Sequence, residues 1–331
     1  MLQTLLAQGR PLLADGATGT NLFEVGLASG DNPELWNDTH AGAVGALHRR
    51  FVEAGADIIL TNSFGGNRRR LALHGLESRV RELNRLAAEN ARAVAARAGR
   101  LVVVAGSVGP TGDLLAPLGV LTEEESVEIF AEQIEGLREG GVDLIWIETM
   151  SASDEIRAAA SAATRLGMPY AVTASFDTAG KTMMGLAPAA FAGLAASFDA
   201  PPLAFGANCG VGAADLLVSI LAMSEARPDA AVIAKANAGV PQWHGAHIHY
   251  SGSPELMAIY AALAVDAGAR IVGGCCGTTP AHLAAMRRAL DDHRPGPRPS
   301  IEAIIANLGP LVSAPAAEAP PRARRRDQGR T

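Results

Sequence analysis

Eight short apolar runs recur along this 331-residue chain: PLLADG, ADIILTNSF, LVVVAGSVG, VDLIWIETM, YAVTASF, LAFGANC, AVIAKANA and ARIVGGCC. Their apolar residues fall at consecutive rather than alternating positions, as strands of a parallel sheet buried on both faces require. Helical patterns with recognisable ends lie between them. Thr122-Glu123-Glu124-Glu125 reads as a capping box, Val127, Phe130, Ile134 and Leu137 then share one face, and Gly140-Gly141 closes the helix. Ser253-Pro254 opens another, with Leu256, Ile259, Tyr260 and Leu263 expected on its buried side; Thr279-Pro280 opens the last, carrying Leu283, Met286 and Leu290. Strand then helix, eight times over, predicts an α/β fold, a (β/α)8 TIM barrel, across residues 1–294. The alternative, an open doubly wound sheet, is disfavoured because no strand-to-helix turn carries a dinucleotide or P-loop fingerprint; GATGTN at 16–21 has the wrong glycine spacing.

Proline and alanine dominate from Pro295 on. Residues 295–312 are expected to hold a short helix, over Ile301 to Leu308, packed on the barrel, and residues 313–331 to form a disordered Pro/Ala/Arg-rich tail. The formal charge is −6, but the last fourteen residues carry five arginines against Glu318 and Asp327, leaving an acidic body of −9. A nucleic-acid function is therefore not expected, because phosphate binding needs a positive surface. The arginine run reads as a solvated tail. No basic and apolar leader opens the chain, and no stretch approaches the ~18 uninterrupted apolar residues of a membrane span. A cytoplasmic enzyme is expected, one whose three cysteines serve metal or catalysis rather than disulfides.

Barrels of this kind place their chemistry at the carboxyl ends of the strands. Those ends read Asp15; Thr61-Asn62-Ser63; Ser107; Glu148-Thr149; Ser175; Asn208-Cys209; Asn237; and Cys275-Cys276. All three cysteines are among them, on the sixth and eighth strands. Three thiolates without a nearby fourth ligand suit zinc with an open position, the catalytic rather than structural pattern; buried core cysteines are the plainer alternative. Adjacent strand residues point to opposite faces, so Cys275 and Cys276 can share an ion only if the backbone bends, which the flanking glycines permit. Asp15 and Glu148 could hold a substrate ammonium, with the amides of Gly16, Ala17 and Thr18 taking a carboxylate; each acid could instead be a helix cap. His244, His247 and His249 have metal-like spacing but read as an ordinary exposed loop, while Trp36 and Trp243 either cover the rim or pack.

DGATGTN, EAGADIILTNSF, GSVGPTG, the strand-end IET, GANCG, NAG with a following proline, and GGCCGTTPAH occur here in order. Together they resemble the zinc-dependent homocysteine S-methyltransferase family over roughly residues 10–292. The resemblance implies that Cys209, Cys275 and Cys276 bind one zinc and that homocysteine sulfur is its fourth ligand. It also implies that Asp15 and Glu148 hold the amino group, that Gly16, Ala17, Thr18 and Ser107 lie near the amino-acid portion, and that methionine is the product. Donors in the family are betaine, S-methylmethionine, S-adenosylmethionine or a corrinoid. Betaine-type members have a tyrosine after the glutamate ending strand four and an aromatic just after strand two; here those places hold Thr149 and Gly65-Gly66. The expected donor is thus a methylcorrinoid or methylfolate-linked protein, a methylcobalamin-bearing partner, with betaine or a related onium compound as the alternative. A homocysteine- and zinc-binding subunit inactive alone is the non-enzymatic rival, and a barrel aldolase or phosphate-using enzyme with incidental cysteines the other.

Overall fold

The computed structural model describes residues 1–244 and 247–313; the side chains of residues 241–249 and all of residues 314–331 lie outside the described residues. The expected disorder of the tail and the side chains of Trp243, His244, His247 and His249 therefore fall outside them. Eight parallel strands run β1 (Leu12–Leu13), β2 (Ile58–Leu60), β3 (Val103–Val108), β4 (Leu144–Met150), β5 (Tyr170–Ala174), β6 (Ala204–Cys209), β7 (Val232–Ala236) and β8 (Ala269–Gly274). Each pairs with its sequence neighbour, β8 pairs with β1, and a parallel bridge from Ala14 to Ile58 joins β1 to β2, so the sheet closes on itself as a (β/α)8 barrel. A helix follows each strand: α1 (Ala41–Glu53), α2 (Val80–Ala95), α3 (Glu123–Glu139), α4 (Ser153–Arg165), α5 (Pro188–Ala196), α6 (Ala213–Ala226), α7 (Pro254–Asp266) and α8 (Pro280–Asp292). None among the described residues is long and apolar enough to cross a membrane.

The consecutive apolar positions divide between two cores, as period-two side chains must when both faces are covered. Leu12, Ile58, Leu60, Val103, Leu144, Trp146, Ile233 and Ile271 fill the barrel, and Leu2 and Leu5 plug its lower end. Their neighbours Leu13, Ile59, Val104, Ile145, Val172, Phe205 and Val272 face the helices.

The capping box of α3 forms as expected: the Thr122 hydroxyl accepts the Glu125 amide at 3.1 Å and the Glu125 carboxylate accepts the Thr122 amide at 2.9 Å. Helix α7 corrects the expected face. Tyr260 is buried, but with Met257, Ala261 and Ala264 rather than with Leu256 and Leu263, which are half-buried, and Ile259 is exposed. Alanines let this helix approach the strands closely, and hydropathy alone cannot register that preference for small residues. Residues Ile301–Leu308 form the expected short helix, seated on α6 and α7 through Ile304. Beyond it, Val312 and Ser313 donate their amides to the Asp215 carboxylate at the start of α6.

Candidate metal centre and amino-acid pocket

Register brings the three cysteines together. Cys209 at the end of β6 and Gly274 at the end of β8 are both level with Ala236 of β7, the strand between them. Strand β8 stops at Gly274, and the backbone turns as expected: the Thr278 amide donates to the Cys275 carbonyl at 3.1 Å, with Gly277 at φ +77°. Two glycines are required for contact reasons too. A Cβ at Gly274 would lie 2.3 Å from Thr278 Oγ1, and one at Gly277 would lie 2.3 Å from the Tyr250 ring. The turn aims both thiols of the doublet at Cys209, whose own backbone is held at φ +64°, a region a side-chain-bearing residue seldom adopts.

The three sulfurs lie within 4.8 Å of one another, with Cys209 Sγ and Cys276 Sγ 3.9 Å apart. Tetrahedral zinc with bonds of about 2.3 Å separates its sulfur ligands by about 3.8 Å, so the donor set fits that ion. As free thiols they are held from ionising together. Cys209 is pushed up to about 12: hydrogen bonding with Cys275 pulls it down, but hydrogen bonding with Cys276, burial and the charge of Cys276 outweigh that. Cys276 is also pushed up to about 12, where contact with Cys209 lowers it, and contact with Cys275, its charge and burial raise it further. A cation bound among them would supply the compensating charge.

Side chains from neighbouring strands fix this centre. Asn208 accepts the Thr149 amide at 2.8 Å, donates to the Thr149 hydroxyl at 2.7 Å, and points the same nitrogen at Cys275 Sγ, 3.8 Å away. Asn237 accepts the Cys276 amide at 3.0 Å and donates to the Gly210 carbonyl at 2.7 Å. Such partners orient ligands and keep the thiolates in place.

Below the thiols is a charged floor. Glu148 is buried and takes a hydrogen bond from the Ser107 hydroxyl. Burial raises its pKa; Lys235 and Ser107 pull it down, and Asp15 pushes it up. Asp15 is fully buried, accepting the Leu60 amide at 2.7 Å on one oxygen and the Lys235 ammonium at 2.9 Å on the other. Neither acid caps a helix: the short helix Thr18–Phe23 after β1 and α4 after β4 have Ala17 and Ala152 at their N-caps, without side-chain caps. The Ala17 amide is occupied by Thr278, at 3.1 Å to its hydroxyl and 3.3 Å to its carbonyl. Trp36 packs: its ring is buried in the core and stacks on His40 at 4.3 Å between centroids.

Lys235 escaped sequence reasoning. It lies inside AVIAKANA, and the signal was its placement, since a lysine within a strand buried on both sides must find a carboxylate.

A closed barrel with three converging thiols and buried, paired charges at its carboxyl rim defines an α/β-barrel protein with a candidate metal site. Residues 12–290 match the family model described as homocysteine S-methyltransferase, and the chain belongs to that family. It is 32% identical over 321 residues to methionine synthase of Mycobacterium tuberculosis, covering 90% of this chain and 26% of that protein. Methionine synthase of Mycobacterium leprae is also 32% identical, over 307 residues, 88% of this chain and 25% of that protein. This chain thus spans about a quarter of the length of those relatives. Among solved structures, the metallated form of the homocysteine methyltransferase MmuM from Escherichia coli superposes with a TM-score of 0.72 at 25% identity, over 87% of this chain and 99% of that one.

Proposed function

We propose that this protein binds one zinc ion through Cys209, Cys275 and Cys276 and methylates homocysteine to methionine. The observation that carries the reading is the cluster of three thiols, with the 3.9 Å Cys209–Cys276 separation suited to tetrahedral coordination. Zinc bound there lowers the pKa of an incoming thiol and leaves its sulfur nucleophilic at neutral pH. The protein's residues bind and orient. Asn208 and Asn237 hold the cysteine loops, and Ser107 fixes Glu148 at the end of the pocket where the substrate ammonium is received. Gly16, Ala17 and Thr18 form the wall nearest the carboxylate, which turns to Gly16 and Thr18 because the Ala17 amide already serves Thr278.

The methyl donor in this reading is a methylcorrinoid or methylfolate-linked protein. Support comes from the rim: Phe23, the last residue of the short helix Thr18–Phe23, Val25 just after it, Leu114, Leu118 and Val120 on the loop after β3, and Met183 and Met184 on the loop after β5 are exposed apolar residues in the connections that follow the strands. Exposed apolar surface of this kind serves macromolecular contact. The strand-four position occupied by tyrosine in betaine-type members is Thr149, tied to Asn208. A small onium donor is the second reading, favoured by Tyr250, whose ring abuts Gly277 beside Cys276.

The test incubates zinc-loaded protein with homocysteine and, separately, betaine, S-methylmethionine, S-adenosylmethionine, free methylcobalamin or a methylated corrinoid protein, and measures methionine. Methionine from the corrinoid protein alone is expected. Turnover with betaine overturns the preferred donor, and zinc and homocysteine binding without methionine from any donor makes the chain a binding subunit.

A further inference from the structure

We infer that the segment Gly309–Ser313 is a latch that holds the Cys209 loop in its metal-binding shape, with Asp215 as the positioning residue between the two. The role rests on the reading of the three thiols as a zinc site and ties that site to a distant part of the chain.

The connection from β6 to α6 is irregular. Cys209, Gly210 and Gly212 have φ of +64°, +77° and +143°, outside the regular helical and extended regions. Gly212 is the N-cap of α6, and no side chain caps that helix. Asn237 secures the loop from β7 by donating to the Gly210 carbonyl at 2.7 Å. Asp215, in the first turn of α6, lines one small cavity with Cys209, Gly210, Val211 and Phe176, so it stands directly against the loop that carries the thiol.

A carboxylate in a first helical turn commonly serves its own helix. Asp215 is buried and serves another segment. One oxygen accepts the Val312 amide at 3.0 Å and the other the Ser313 amide at 2.7 Å. The Ser313 hydroxyl carries the connection on to the loop after β5, donating to the Asp177 carbonyl at 3.1 Å and accepting the Gly180 amide at 3.3 Å. The Asp177 carboxylate in turn accepts the Ser175 hydroxyl at 3.2 Å. The segment is itself anchored, because Ile304 is buried where the short helix sits on α6 and α7, and Leu311 packs on the core. Ser313 thus fastens together the starts of two neighbouring connections, after β5 and after β6, and the second of them carries Cys209. With the latch open, the entry into α6 is free to shift, and the left-handed backbone at Cys209 loses one of the contacts that impose it.

The experiment compares D215A, S313P and the double variant D215A/S313P with wild type on the full chain. Zinc affinity is measured by competition with a chromophoric chelator, and the alkylation rate of Cys209 in the metal-free protein is followed by peptide mass spectrometry. Each single variant is expected to weaken zinc by about tenfold or more, as loss of an outer partner does at other metal sites. Each is also expected to speed Cys209 alkylation by about threefold or more, as a loosened loop admits the reagent. The double variant should be no worse than the more affected single variant, because both changes open the same contact. D215N keeps one acceptor oxygen and should recover part of the zinc affinity lost in D215A. T122A lowers stability by removing the cap of α3 and should leave both readouts unchanged, which separates a latch effect from general destabilisation. Should D215A fail to fold, S313P and D215N carry the same comparison. Zinc affinity and alkylation indistinguishable from wild type in the folded single variants overturn the latch, as do fully additive losses in the double variant. If the wild-type chain holds no zinc, the reading of the thiols as a zinc site falls, while the alkylation rates still decide whether Asp215 and Ser313 fix the loop.

Discussion

Cys209 and Thr149 both hold positive φ, at +64° and +60°, and Asn208 hydrogen-bonds Thr149 while pointing at a thiol. Unfavourable backbone at the ends of β4 and β6 is therefore concentrated where side chains are aimed at the metal centre. Cys209→Ser replaces a soft ligand with a poor one, so metal content by elemental analysis should fall from one zinc per chain to a small fraction, with the far-ultraviolet spectrum unchanged. His48 gives the pH prediction at this scale. It is buried, neither ring nitrogen has a hydrogen-bond partner among the described residues, and burial holds its pKa down to about 4, with Asp15 pulling upward. Below its ordinary value of 6.5 the unfolded chain takes up a proton that the folded chain refuses, so stability falls as pH drops from about 6.5 to about 4. His48→Leu should flatten the melting temperature across that window by removing up to about 3 kcal/mol of pH dependence.

Elements add constraints that single side chains do not. The turn after β8 works because Gly277 combines a left-handed backbone with a surface pressed against Tyr250. Gly277→Ala is therefore expected to cost more than about 1 kcal/mol and to lower metal affinity as well, since the same turn aims Cys275 and Cys276. Thr122→Ala, by contrast, removes only the capping box of α3, a helix that carries none of the thiols. It should cost about 1 kcal/mol in denaturant unfolding while leaving zinc content untouched, and a coupled loss of metal would show that the α3 start bears on the site. Both features were legible in the sequence as turn and cap chemistry. The buried face of α7 was not, because Ala261 and Ala264 were chosen for close approach to the strands, and period alone favoured the larger Ile259 and Leu263.

Across the whole molecule, the three-thiol cluster brings the ends of β6 and β8 together across β7, next to the place where β8 meets β1. Metal bound only by the folded chain should stabilise it by about 2.7 kcal/mol at a free concentration one hundred times Kd. Thermal melts with added zinc and with chelator should differ by several degrees, in favour of zinc; identical melts would mean that the thiols hold no ion.

The order of strands and helices, the ends where polar residues gather, and the bend required at GGCCG were determined by the sequence itself, because hydrophobic period, caps and glycine placement are local properties. Only the tertiary structure decided that Cys209 lies level with the doublet, that Trp36 stacks in the core, and that Lys235 claims Asp15. Those facts depend on barrel register and on pairings across 220 residues of chain, for which local sequence carries no signal.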